Sequence, residues 1–289
     1  MKFRIVILLT LPLLLSACAG DPAPSQQSTL NSHVHGLAVD RSDSSHLYIA
    51  THNGLFLLSD DKNLELVGTS RDDYMGFSPH PTDSKIFFSS GHPASGGNMG
   101  VRKSTNGGET WKKLTNGDPS GPVDFHAMTV SEANPALIYG YYRGYVYRSE
   151  DSGETWEILQ NQIAISSLAT HPRNEEVVYA GTNGALIQSQ NKGEDWEPAF
   201  LLEQATDAVL DIEVDRTGNT LWITTLQQGV LRANLDSTVL NFETMGALPG
   251  NKPAVQLAAD QKNPGVLYAA HESNIYKSSD SGKNWQKIL

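Results

Sequence analysis

The stretch Ser149–Trp156, which reads SEDSGETW, sets the architecture of this chain because close copies of it recur along the sequence. The pattern is Ser-x-Asp/Asn-x-Gly-x-Thr-Trp, with the threonine replaced in two copies. The Asp or Asn side chain can accept backbone N–H bonds in a tight turn, and the glycine can adopt a positive φ. Each copy therefore predicts a hairpin whose second strand opens with a large apolar side chain. The other copies are Ser104–Trp111, Ser189–Trp196 and Ser278–Trp285.

The motif closes a longer unit of roughly 40 to 50 residues that occurs six times. A unit opens with a short alternating segment, such as His126–Val130, followed by a segment rich in β-branched and aromatic residues, such as Leu137–Tyr139. Four short strands cannot bury a core alone, so the units should stack radially. We predict an all-β, six-bladed β-propeller of four-stranded antiparallel sheets, with seven blades as the alternative. Units one and five lack the full motif, and we expect their blades to be irregular.

The N-terminal segment has the layout of a secretory signal. Lys2 and Arg4 precede an apolar run from Ile5 to Leu15, and Leu15–Cys18 resembles the cleavage site of bacterial lipoproteins. Cys18 is the only cysteine, so the chain has no internal disulfide. We predict a signal peptide over residues 1–17, a lipidated Cys18 with a flexible tether over 18–32, and the propeller over 33–289. The protein should then be anchored by lipid to the extracytoplasmic face of a bacterial membrane.

The formal net charge of −11 argues against nucleic acid as a partner, because an acidic surface repels phosphates. The expected partners are the membrane, through the lipid anchor, and an unidentified protein or glycan ligand. We expect the chain to be a monomer.

Aligning the units brings histidine and methionine side chains to equivalent positions. His35, Met75 and His126 start the innermost strands of three successive blades, where a propeller places its central channel. Imidazole and thioether suit copper, especially Cu(I), whereas histidine alone also suits zinc or nickel. The alternative is that the histidines bond to water and backbone and that Met75 fills the core. The predicted metal site at the channel entrance comprises His33, His35, His52, Met75, His92 and His126, beside the acidic entrance residues Asp73 and Asp124.

On its four motif copies, the chain resembles the Asp-box (BNR-repeat) superfamily of sialidase-like β-propellers across residues 33–289. Segments such as His33–Ala38 and Asp124–Met128 make it similar to small exported proteins commonly labelled glycosyl hydrolases. The resemblance implies the architecture, but the superfamily also includes photosystem II assembly factors and sortilin-type receptors, which bind proteins.

Sialidases of this superfamily use an arginine triad to bind the sialate carboxylate. Arg102, Arg148 and Arg232 lie instead beside the motif or its remnant, on the outer hairpin side. We therefore expect a non-catalytic binding protein and assign no catalytic residue. Asp73, Asp124 and Asp211 lie near the starts of first strands and keep a glycoside hydrolase as the alternative, because such enzymes need a pair of carboxyl groups.

Overall fold

The computed structural model describes residues 29–216, 219–237 and 239–289. The signal peptide predicted over 1–17, the lipidation site at Cys18 and the tether as far as residue 28 lie outside these residues. The described part of the chain contains no helix with the length and apolar character needed to cross a bilayer.

The described residues form six four-stranded antiparallel sheets, each built from consecutive strands. This confirms the six-bladed propeller and excludes the seven-bladed alternative. Blade one contains β1 (Val34–Val39), β2 (His46–Thr51), β3 (Gly54–Ser59) and β4 (Asn63–Leu66); blade two contains β5 (Asp73–Pro79), β6 (Phe87–His92), β7 (Val101–Ser104) and β8 (Lys112–Thr115). A short ribbon of β9 (Gly117–Asp118) and β10 (Gly121–Pro122) follows; blade three contains β11 (Ala127–Val130), β12 (Ile138–Tyr142), β13 (Tyr145–Ser149) and β14 (Glu157–Gln162).

The remaining three blades have the same layout. Blade four contains β15 (Ser167–Thr170), β16 (Val178–Gly181), β17 (Ala185–Ser189) and β18 (Glu197–Leu201); blade five contains β19 (Val209–Val214), β20 (Thr220–Thr225), β21 (Gly229–Asn234) and β22 (Glu243–Gly246). Blade six contains β23 (Gln256–Ala259), β24 (Leu267–His271), β25 (Asn274–Ser278) and β26 (Gln286–Lys287).

The repeated motif forms the predicted hairpin between the third and fourth strands of its blade. In blade three, the Ser149 hydroxyl accepts the Gly153 N–H at 2.9 Å, and the Asp151 carboxylate accepts the Thr155 N–H at 2.8 Å. Gly153 has a φ of +89°, a conformation that favours glycine. The Trp156 indole donates to the Gly153 carbonyl at 3.0 Å and packs beside Phe125, so it covers the flank of the blade.

The expectation that blades one and five are irregular is wrong, because both form complete four-stranded sheets. In blade one, Asp60 and Asp61 take φ values of +53° and +57° between β3 and β4. Aspartate tolerates this conformation better than most residues, so the hairpin closes without the motif's glycine. The added β9–β10 ribbon instead follows blade two.

The ring closes by packing of blade six against blade one. The Val34 N–H donates to the Glu272 carbonyl at 3.1 Å, and one buried cluster unites Ile49 of blade one with Tyr268 and Ile275 of blade six. Since each described sheet consists of consecutive strands, no strand is exchanged between the chain ends within the described residues.

The first strands of all six blades line a central cavity of about 160 Å³. At one end, Arg41 and Arg216 both form ion pairs with Glu132 at 2.5 Å. Both guanidinium groups also donate to the Pro81 carbonyl, at 3.0 and 2.5 Å. These residues follow the first strands of blades one, five, three and two, so their contacts cross the channel axis and obstruct that end. The opposite end, where the first strands begin, is the channel mouth.

Candidate metal centre

The channel mouth carries the predicted histidines and methionine at equivalent places. His35 and Met75 each lie at an irregularity in strand pairing, in β1 and β5, and His126 directly precedes β11. The glycine after Met75 is required by packing, because a Cβ on Gly76 would lie 2.6 Å from the Phe125 carbonyl oxygen of the next blade. This close approach of neighbouring blades brings the three side chains to one end of the channel, where all three line the cavity.

A first cluster of three donors, which we call triad one, consists of His35, His52 and Asp73. One donor atom from each residue lies within 4.8 Å of the others. The His52 Nδ1 is 2.7 Å from the Asp73 carboxylate, and the rings of His35 and His52 meet edge to face with centroids 4.1 Å apart. Triad one therefore joins blade one to blade two.

A second cluster, triad two, consists of His92, Asp124 and His126, again with donor atoms within 4.8 Å. The same Asp124 oxygen lies 3.1 Å from His92 Nε2 and 2.8 Å from His126 Nε2. The Asp124 side chain is only 7% exposed, so its charge is largely removed from water. Triad two joins blade two to blade three.

Blade two contributes one side chain to each triad. Asp73, at the start of β5, is the pairing partner of His92, at the end of β6. The Asp73 carboxylate contacts His52 of blade one, whereas the His92 ring contacts Asp124 of blade three. The two triads therefore lie side by side on one rim.

The structure brings most of the predicted site residues into the two triads. His35, His52, His92 and His126 fall into the triads, and they do so together with the predicted acidic residues Asp73 and Asp124. His33 is exposed, and its ring lies 5.9 Å from that of His52, outside both triads. Met75 lines the channel on β5, the first strand of blade two.

Burial and neighbouring charges set the protonation of the rim histidines. Burial lowers the pKa of His35 to about 4, and the nearby imidazole of His52 contributes to the same effect. His35 is therefore neutral at pH 7, as a metal ligand must be. The hydrogen bond to Asp124 raises the pKa of His126 above its usual range. A metal ion in triad two would have to compete with this proton.

Among the residues that the structure describes, three buried atoms on the rim that could ligate a metal have no hydrogen-bond partner: His35 Nε2, Asp73 Oδ1 and Asp124 Oδ1. A buried polar atom without a partner costs about 1–3 kcal/mol, which suggests a group that compensates it. Each triad supplies two imidazoles and one carboxylate, a set that holds divalent transition metals and leaves coordination positions free. The residues present thus fit a divalent metal ion.

The backbone orients His92 within triad two. Its Nδ1 lies 2.9 Å from the Gly97 carbonyl oxygen, which can only accept a hydrogen bond, so Nδ1 carries the proton. In the neutral ring, the Nε2 lone pair then faces the Asp124 carboxylate oxygen. Two acceptors at 3.1 Å repel each other unless a proton or a metal ion lies between them. Gly97 belongs to the glycine-rich segment between β6 and β7.

Comparisons with known proteins establish the fold. No protein-family model and no curated protein sequence matches this chain. The GH74 xyloglucanase from Xanthomonas campestris superposes with a TM-score of 0.61 at 15% identity, covering 90% of this chain and 46% of that one. The GH74 enzyme of Niastella koreensis gives a TM-score of 0.65 at 14% identity, covering 90% and 45%. YCF48 from Cyanidioschyzon merolae gives 0.52 at 16% identity, covering 92% and 86%.

These similarities concern architecture alone. The chain spans less than half the length of the two GH74 structures. At identities of 14 to 16%, the shared β-propeller fold carries no information about activity, since one fold hosts many functions.

Proposed function

We propose that this protein is a lipid-anchored, extracytoplasmic Asp-box propeller that binds transition-metal ions at its channel mouth and is not an enzyme. The observation that carries the proposal is the pairing of two His₂Asp triads with three buried donor atoms that lack hydrogen-bond partners. The neutral His35 and the position of Asp124 between two imidazole nitrogens support it further.

The donor set favours a divalent ion. Carboxylate and imidazole together suit Cu(II), Zn(II) or Ni(II), whereas the Met75 thioether would add affinity for Cu(I). A Met75→Leu substitution keeps the apolar volume and removes only the sulfur ligand. It should weaken Cu(I) binding and leave Zn(II) binding unchanged if Met75 joins the site.

Metal titration of the full chain, purified without a polyhistidine tag, tests the proposal. The wild-type protein should bind up to two equivalents, and His35→Ala and His126→Ala should each remove one. The double variant should bind none, while the loop variant His171→Ala should bind as the wild type does. Stoichiometric metal in the double variant would contradict the assigned ligands.

The anchor is tested separately at Cys18. Cells that express the wild-type chain should incorporate labelled palmitate into the protein, because lipidation of the cysteine supplies the membrane affinity. A Cys18→Ala variant should lose the label and leave the membrane fraction. Equal labelling of both chains would place the lipid elsewhere or exclude the anchor.

A glycoside hydrolase is the second candidate. It is supported by the two carboxyl groups, Asp73 and Asp124, on one rim. Both carboxylates are already engaged by histidines, which supports metal binding over acid–base catalysis. Incubation with aryl glycosides, xyloglucan and bacterial surface polysaccharides distinguishes the two functions. Turnover that is lost in Asp124→Asn would favour the hydrolase.

A further inference from the structure

A second cavity is lined by Arg143. This residue occupies the two-residue turn between β12 and β13, where its φ is +51° and that of Gly144 is +91°. Asparagine, aspartate and glycine suit such a turn, whereas arginine in this conformation costs about 1 kcal/mol. Residues held in an unfavourable conformation concentrate at functional sites. The unfavourable turn therefore makes the Arg143 guanidinium a candidate functional group.

The guanidinium of Arg143 is available to a ligand. It lies 4.9 Å from the centre of the Tyr142 ring, and the residue is exposed. Arg143 forms no ion pair with a carboxylate of residues 29–216, 219–237 or 239–289. The nearby Asp118 already accepts hydrogen bonds from the Ser120 N–H, the Ser120 hydroxyl and the Tyr147 hydroxyl. The charge of Arg143 acts on Asp118 only through space, so this carboxylate does not occupy the guanidinium N–H groups.

The walls of the cavity are fixed by hydrogen bonds. The Asn98 amide donates to the Pro122 carbonyl at 3.1 Å and to the Tyr142 hydroxyl at 3.0 Å. Because the Tyr142 oxygen accepts this bond, its own proton remains available as a donor. The cavity is lined by Asn98, Ser120, Gly121, Pro122, Tyr142 and Arg143. It thus offers a guanidinium and a hydroxyl donor to an anion.

Three lining residues connect the cavity to triad two. Asn98 follows Gly97, whose carbonyl accepts from His92, and Pro122 precedes Asp124 by two residues. Tyr142 follows Tyr141, which pairs with Ala127, the residue after His126. Asn98 and Pro122 therefore lie within two residues along the chain of groups that contact or belong to triad two. The cavity is therefore built on the same chain segments that carry His92 and Asp124.

We propose that this cavity is an oxyanion subsite, in which Arg143 and Tyr142 bind the phosphate or carboxylate group of a ligand that also reaches the metal ion of triad two. The inference rests on the proposed metal-binding function. Planar guanidinium groups bind such oxyanions through paired, charge-assisted hydrogen bonds. In a chain with a net charge of −11, an anion needs a local cation of this kind.

Calorimetric titration with inorganic phosphate, and in a parallel arm with acetate, tests the subsite on the full chain loaded with Zn²⁺. Arg143→Asn suits the turn and should bind phosphate about tenfold more weakly than the wild type, since a charge-assisted bond is lost. The affinity for Zn²⁺ should stay unchanged. The control Lys113→Gln removes one positive charge from β8, the outermost strand of blade two, and should leave phosphate binding as it is. Tighter binding of phosphate than of acetate would identify a phosphate ligand, and the reverse a carboxylate.

Equal phosphate affinity in the wild type and Arg143→Asn would overturn the subsite, as would a wild-type chain that binds neither anion. Failure of the proposed metal-binding function would give a different result. If the chain binds no zinc, the metal site fails, and phosphate binding by the metal-free chain that disappears in Arg143→Asn still supports the anion site.

Discussion

Asp124 stabilises the protonated ring of His126 in triad two. Its buried carboxylate accepts from His126, and this hydrogen bond raises the pKa of that imidazole. In the metal-free protein, Asp124→Asn should lower the pKa of His126, because the amide no longer stabilises the charged ring. An NMR titration of the His126 ring protons measures the change. Asp73→Asn should have a smaller effect, since Asp73 acts on His126 only through space. An unchanged pKa in Asp124→Asn would contradict the role of this hydrogen bond.

The residues of the rim were predictable from the sequence only in part. Alignment of the units predicts that His35, Met75 and His126 share a ring position, because equivalent residues of a propeller converge on the axis. It does not predict that Asp73 contacts the preceding blade while His92 contacts the following one. Which neighbouring blade each side chain contacts depends on how the blades pack against each other. Alignment of the units contains no information about this packing.

The motif hairpin makes its own contribution to stability within each blade. The Ser149 hydroxyl is buried and bonded both to the Gly153 N–H and to Asp151. Ser149→Ala leaves that buried N–H without an acceptor, so the free energy of unfolding should fall by about 1–2 kcal/mol, as measured by urea denaturation. Ser59→Ala is the matched control, because Ser59 ends the third strand of a blade without the motif. A loss in Ser59→Ala as large as that in Ser149→Ala would argue against a specific role for the motif.

The strands show which sequence signals are reliable. Four motif copies predict four hairpins because serine, the acidic or amide residue and glycine act through local hydrogen bonds. The signal fails in blade one, where Asp60 and Asp61 close the hairpin by another route. It also misses the β9–β10 ribbon, whose strands of two residues, Gly117–Asp118 and Gly121–Pro122, have no alternating pattern to recognise.

The ring as a whole makes the channel accessible chiefly from the histidine end. Arg41, Glu132 and Arg216 occupy equivalent positions after the first strands of alternate blades, so their ion pairs span the axis. The same alignment that finds the histidines also relates these three residues, although their pairing across the channel depends on ring closure. A ligand that enters the channel therefore passes the two triads first.

Glu213 of β19 makes the stability of the ring depend on pH. It faces the channel, and burial raises the pKa of its carboxyl to about 8. Between pH 4.5 and 8, the group ionises in the unfolded chain while staying protonated in the folded one, so the folded state loses stability as the pH rises. Glu213→Gln removes this dependence and keeps an oxygen acceptor for the Ala259 N–H. The variant should match the wild type near pH 4 and exceed its free energy of unfolding by up to about 4 kcal/mol near pH 8. Urea denaturation across this range measures the difference. If the free energies of unfolding of the two proteins change in parallel with pH, the Glu213 carboxylate ionises in the folded protein and contacts channel water.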